Sequence, residues 1–417
     1  MYDFVTMRHT FSALAAVAQL TIVLSTANAE TASDRPNSVT VRADTIRFAG
    51  RRYVADLTGG GQAELTLDPR MQQSTEELMR TFQIPFGAAV VVSVPDGRVL
   101  ALVGRSAADP RLGIEELALR PWAPAASVFK VVSAAALVEN GIAGNTRTCY
   151  HGGVSSVLAD NLIDLPALDR RCDTLAFGLG KSQNAIIAKL ATQHLTAADL
   201  ARVGRSFGFD EAIPFEIPVE PSHLDIPADG LEFARTAAGF WHSTLSPMHG
   251  ALLAGAIANR GQMPAPILID RARDRDGHAL ALPVAAPRQV IDAEAAREVG
   301  RMMELTTRIG TAKGTFRDKR GRRLLPVEVA GKTGTLSAET DRGYVGYSWF
   351  VGYAPADRPA IAFAVVLGNN PTWRIKATYV GRHIVGEFVA GASNRAPAPR
   401  LLASRGEPSK GSPTLPR

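Results

Sequence analysis

Pro124-Ala125-Ala126-Ser127-Val128-Phe129-Lys130-Val131-Val132-Ser133-Ala134-Ala135-Ala136-Leu137 is an almost wholly apolar run carrying one lysine. As a helix it is apolar on every side, which predicts burial. Ser127 and Lys130 are i and i+3, so their side chains share a face. A buried lysine loses hydration, its pKa falls, and a neutral amine becomes available. Serine is a weak nucleophile until a base takes its proton, and this spacing supplies the base. Alone, S-x-x-K is weak evidence, because a capping serine beside a snorkelling lysine gives the same pattern.

Two further stretches change its weight. Ser182-Gln183-Asn184 is an S-x-N, and Lys332-Thr333-Gly334-Thr335 is a K-T-G-T. Each is the only match to its pattern, and of the eight lysines only Lys130 has a serine three residues before it. The order S-x-x-K, S-x-N, K-T-G is that of penicillin-recognising serine acyltransferases.

On these motifs the chain resembles the transpeptidase domain of penicillin-binding proteins, most closely the class B type. Other stretches are similar to that family too. Leu65-Thr66-Leu67-Asp68-Pro69-Arg70-Met71-Gln72-Gln73 resembles the opening of the domain, and residues 87–103 its first hairpin. Thr244-Leu245-Ser246-Pro247-Met248-His249 through Asn259-Arg260-Gly261 resembles a helix of the family. Trp349-Phe350-Val351-Gly352-Tyr353-Ala354-Pro355 resembles the strand after K-T-G. The likeness spans residues 63–390.

The resemblance implies roles residue by residue. Ser127 would attack a D-Ala-D-Ala carbonyl, with Lys130 as general base. Ser182 would pass a proton to the leaving nitrogen, and Asn184 would hold the donor amide and steady Lys130. Lys332 would add positive charge, and Thr333 and Thr335 would bind the terminal carboxylate. Gly334 would let the strand pass close to substrate. Backbone N–H groups of Ser127 and Thr335 would form the oxyanion hole. The implied partners are peptidoglycan stem peptides, β-lactams as covalent inhibitors, and cell-wall synthesis proteins. No cofactor or metal is implied.

Competing chemistries leave weaker marks. A D,D-carboxypeptidase shares every motif and differs only in using water as acceptor. A class A β-lactamase needs an E-x-x-L-N segment and class C a Y-x-N, and neither is present, while the second motif, Ser182-Gln183-Asn184, is not the S-x-V of class D. A non-catalytic penicillin sensor is a further alternative. No G-x-S-x-G supports a Ser-His-Asp triad, and His249, in an apolar helix, reads as a core histidine. No H-E-x-x-H supports a metalloprotease.

Chain length of 417 residues and 46% hydrophobic content fit one large globular domain or two small ones. Strand patterns at Val90–Val94 and Arg98–Val103, around Pro95-Asp96-Gly97, read as a hairpin. Helical patterns follow at residues 184–195, 246–259 and 293–309. Strand patterns return at Val327–Ala330, Ser348–Tyr353 and Ala360–Leu367, and a last helix is expected over 374–390. Strands at both ends predict a mixed α/β (α+β) fold: a central antiparallel sheet flanked by helices, with a helical subdomain inserted.

Arg8 and His9, an apolar stretch over 11–24 and Ala27-Asn28-Ala29 read as a secretory signal over residues 1–29. The stretch is short for a span of about 20 residues, which favours cleavage over an inner-membrane anchor. Residues 30–62 read as a short leader with strand-like pieces, ending in Gly59-Gly60-Gly61, and 391–417 as a Pro/Ser/Arg-rich disordered tail. The leader is too short for the N-terminal pedestal of class B proteins, which puts the usual division-machinery partnership in doubt. An exported, periplasmic or envelope location follows, and the net charge of +6 would suit association with anionic lipid or wall polymer. No nucleic-acid module is present. Cys149 and Cys172, the only cysteines, either pair in such a compartment, adding roughly 3 kcal/mol, or stay as two buried thiols.

Overall fold

The computed structural model describes residues 39–394 except Asp229, Val284, Ala285, Asp341 and Arg342. The expected signal, the first part of the leader and most of the expected tail lie outside the described residues. Among the described residues no helix is long and apolar enough to cross a membrane.

Five antiparallel strands form the main sheet, in the order Ala330–Thr340, Gly343–Ala354, Ile361–Asn369, Phe86–Ser93, Val99–Arg105. The inner strands are apolar without alternation because both faces are covered. Successive side chains on a strand point to opposite faces. Ala88, Val90 and Val92, with Ala362, Ala364 and Val366, enter one core, shared with the helices Pro247–Ala258 and Ala293–Arg308. Ala89 and Val91, with Phe363, Val365 and Leu367, enter a second core under Pro69–Thr81 and Ala377–Asn394. Asp68 caps the first of these helices, accepting from the Met71 N–H at 3.0 Å, with Pro69 in the first turn. Ser246 and Pro247 start Pro247–Ala258 in the same way.

Between the hairpin and the last three strands lie the helices Lys130–Glu139, Leu175–Lys181, Asn184–His194, Ala197–Ser206 and Gly230–Ala237. A disulfide joins Cys149 to Cys172, which face each other across the short strands Arg147–Tyr150 and Arg171–Thr174. His249 is fully buried, with its ring nitrogen 2.8 Å from the Phe207 carbonyl and its ring against Phe209. Burial lowers its pKa to about 4, so it sits in the core as neutral imidazole.

Three expected boundaries differ from the structure. The described part of the leader does not stand apart from the domain: Arg47–Ala49, Arg52–Asp56 and Gln62–Leu65 join Ile269–Arg273 in a four-stranded sheet, and Val41, Tyr53 and Ala55 are buried in the main core. Their pairing partner lies some two hundred residues downstream, so no local pattern announces it. The strand expected at Val327–Ala330 begins at Ala330 and runs through the whole K-T-G-T segment to Thr340. The final helix starts at Ala377 and reaches Asn394.

Candidate active site

Ser127 sits in a single 3-10 turn, Ala126–Val128, immediately before Lys130–Glu139. The chain enters this turn under strain, with Ala126 at φ 49°. Gly239 lies against it: a Cβ there would come within 2.3 Å of the Ala126 carbonyl oxygen. The i,i+3 relation holds, and Lys130 Nζ lies 2.7 Å from Ser127 Oγ.

Lys130 is fully buried. Its Nζ also lies 2.7 Å from Asn184 Oδ1 and 2.5 Å from the Ala238 carbonyl oxygen. A neutral amine has two N–H bonds and one lone pair. Two acceptors engage the N–H bonds, which leaves the lone pair for the Ser127 hydroxyl proton. Desolvation, and secondarily the charge of Lys332, holds the Lys130 pKa well below its ordinary value. Asn184 Nδ2 donates to the Val154 carbonyl at 3.0 Å, so its Oδ1 faces Lys130.

Ser182 ends the helix Leu175–Lys181 in the left-handed region, at φ 56°. Glycine usually takes that position, so the serine here holds a conformation that costs it strain. Gly178 and Gly180 let this helix pack closely: a Cβ at Gly180 would come within 2.7 Å of Leu305 Cβ in Ala293–Arg308. That second helix also packs on the K-T-G strand, which brings Ser182 to Lys332. Lys332 Nζ donates to Ser182 Oγ at 2.9 Å and to the Thr333 carbonyl at 2.8 Å. Burial alone lowers its pKa to about 7.

The K-T-G-T segment is on the outer edge of the sheet. Gly334 packs over Trp349, and a Cβ there would lie 3.0 Å from Trp349 Cβ and 3.3 Å from Val128 Cγ2. The Trp349 indole N–H donates to the Pro124 carbonyl at 2.9 Å, tying this sheet to the segment that leads into the Ser127 turn. Ser127, Ser182, Asn184, Thr333 and Thr335 all line one cleft of about 680 Å³. Lys130 and Lys332 lie buried behind it.

The sequence reading missed several residues that complete this cleft. Thr311 Oγ1 is 2.6 Å from Thr333 Oγ1. Ala238 contributes only its carbonyl, and Val154, Trp241, Trp373 and Lys376 line the walls. None carries a motif. Gly239, followed by two aromatic residues, was the one local cue to a turn at the cleft.

The penicillin binding protein transpeptidase domain model matches residues 87–390. The chain belongs to the penicillin-binding protein transpeptidase family. The peptidoglycan D,D-transpeptidase PbpA of Mycobacterium tuberculosis is 26% identical to this family member over 384 residues, covering 84% of this chain and 76% of the relative. The PbpA of Mycolicibacterium smegmatis is 24% identical over 399 residues, covering 87% and 79%. The crystal structure of PBPA from M. tuberculosis shares the fold, with TM-score 0.66 and 23% identity over 79% of this chain and 83% of that one. The same PBPA as an imipenem acyl-enzyme complex superposes equally well, with TM-score 0.66 over 79% and 80%. The expected mixed fold, an antiparallel sheet flanked by helices, is the fold of these structures.

Proposed function

We propose that this penicillin-binding protein is a serine D,D-transpeptidase that cross-links peptidoglycan stem peptides through a Ser127 acyl-enzyme and is inhibited by β-lactams. The observation that carries the reading is the environment of Lys130: a buried amine 2.7 Å from a serine hydroxyl, with two further acceptors for its N–H bonds. The names of the relatives, D,D-transpeptidases and β-lactam acyl-enzymes, support the same chemistry.

In the proposed cycle Lys130 takes the Ser127 proton as Oγ attacks the penultimate D-Ala carbonyl. The oxyanion is held by the backbone N–H groups of Ser127 and Thr335, each donor worth about 3 kcal/mol. Ser182, bonded to Lys332, protonates the departing nitrogen. The C–N bond breaks, D-alanine leaves and the ester remains. An acceptor amine then attacks the ester, its proton returns through the same groups, and Ser127 Oγ–H is restored. The Thr333, Thr335 and Thr311 hydroxyls with Lys332 supply the terminal-carboxylate site. The expected signal peptide would put this chemistry on the outer side of the inner membrane, facing the wall.

The test is product analysis with a D-Ala-D-Ala peptide and an amine acceptor. Transpeptidation predicts released D-alanine and acceptor–peptide adduct in matching amounts. Release of D-alanine without adduct would replace the reading by a carboxypeptidase, and no release would overturn it.

A further inference from the structure

We infer that Lys189 and Asp169 are positioning residues for acylation, clamping the 151–169 loop so that its Val154 carbonyl fixes which way the Asn184 amide faces. Lys189 lies on the same helix as Asn184 and is fully buried. Its Nζ reaches off the helix to three acceptors: the Cys149 carbonyl at 2.9 Å, Asp169 Oδ2 at 2.8 Å and Asp164 Oδ1 at 2.9 Å. The side chain of Asp169 is only 4% exposed, and its Oδ1 takes His151 Nδ1 at 2.6 Å while Oδ2 also accepts from the Leu165 N–H at 3.0 Å. One amine therefore ties both ends of the loop to the helix that presents Asn184.

Between these ties the loop runs past the catalytic groups. Gly153, at φ +66°, abuts the start of the helix, where a Cβ would lie 2.7 Å from the Ala185 nitrogen. Val154 follows, with its carbonyl on Asn184 Nδ2 at 3.0 Å. Val154 as a residue is 82% exposed, so side-chain packing does not set where its carbonyl points. Its position is set by the rest of the loop, which Lys189 and Asp169 hold at its two ends and the buried Val157 side chain holds between them.

The consequence follows from the two ends of an amide. Asn184 can present either oxygen or NH₂ to Lys130 with little change of shape. With Val154 O in place, Nδ2 is engaged and Oδ1 accepts from Lys130. With the loop released, the amide can turn, one Lys130 N–H loses its acceptor, and the lone pair is no longer aimed at Ser127. A purely structural ion pair would behave otherwise. Apolar replacement of both partners of a buried pair is often neutral for stability, and its effects would not depend on Asn184.

The inference rests on Ser127 being the acylated nucleophile. The experiment measures the benzylpenicillin acylation rate by intact mass, with a thermal midpoint for each full-length variant. The variants are Lys189→Met/Asp169→Leu, Asn184→Ala, and all three changes together. Expected is a folded pair variant acylating at least about tenfold more slowly, and less than about a twofold further effect of the pair in the Asn184→Ala background, because contacts acting through one residue are not additive. A pair variant acylating at the wild-type rate, or slowed equally in both backgrounds, overturns the inference. Asp169→Asn, nearly isosteric, is read by the same two criteria and decides the matter should the pair variant lack a cooperative transition. Ser127→Ala runs alongside: an adduct on it sinks the nucleophile assignment, whereas normal acylation of the pair variant sinks only the clamp.

Discussion

Replacing Lys332 by methionine should make the protein more stable at neutral pH while crippling it. Burial lowers the Lys332 pKa from 10.5 to about 7, whereas in the unfolded chain the amine keeps its proton up to about pH 10.4. Between about pH 7 and pH 10 the unfolded chain therefore binds one more proton here than the folded chain. Stability at this position rises with pH across that window and is lost as pH falls toward 7. At about 1.4 kcal/mol per unit, the burden reaches about 5 kcal/mol at and below pH 7. Methionine fills similar space without ionising. It forfeits the bonds to Ser182 Oγ and the Thr333 carbonyl, about 1 kcal/mol each. The variant should gain about 3 kcal/mol at pH 7 and lose about 2 kcal/mol by pH 10. Urea unfolding of both proteins at pH 7, 8, 9 and 10 reads the difference directly. A difference that changes by about 1.4 kcal/mol per pH unit supports the argument, and parallel stability curves would refute it.

Lys130→Met removes the proposed base and should slow benzylpenicillin acylation by about 10²–10⁴-fold with no loss of thermal midpoint. Stopped-flow acylation together with calorimetry checks both halves. Thr311→Val breaks the 2.6 Å contact with Thr333 Oγ1 and should raise KM for a D-Ala-D-Ala peptide several-fold with kcat nearly unchanged. A fall in kcat alone would show that Thr311 acts on the transition state instead. Gly239→Ala forces a Cβ into the Ala126 carbonyl at a φ of +79°, so it should cost about 1–3 kcal/mol and slow acylation. An unchanged rate would mean that the Ser127 turn does not depend on this contact.

What the sequence revealed depended on which interactions are local. Ser127 and Lys130 were legible because i,i+3 neighbours meet in any helical turn, 3-10 or α. Lys332, Thr333, Gly334 and Thr335 were legible as a motif, and the resemblance put them on a strand, yet the residue pattern alone did not show how far that strand runs. The stretch from Lys332 to Thr340 is polar and small, and it becomes strand by pairing with Gly343–Ala354. The alternating apolar residues just before it drew the expectation to Val327–Ala330 instead. Phe86–Ser93 and Ile361–Asn369 stood out because burial on both faces leaves uninterrupted apolar runs. The Ala238 and Val154 carbonyls that accept from Lys130 and Asn184 were invisible, since a main-chain oxygen leaves no trace in residue identity. Thr311 was equally hidden, because a lone threonine gains meaning only when two helices bring it beside Thr333. Strand-like pieces in residues 30–62 were legible, but not the four-stranded sheet they join, because its fourth strand, Ile269–Arg273, is distant in sequence.

The central claim is that Ser127 is the nucleophile of a slowly deacylating penicillin-binding protein, and intact mass after brief exposure to benzylpenicillin tests it most directly. The protein from residue 30 onward should gain the mass of one penicillin, and Ser127→Ala none. Wild-type protein without an adduct, in a solution where the penicillin survives, would contradict the account.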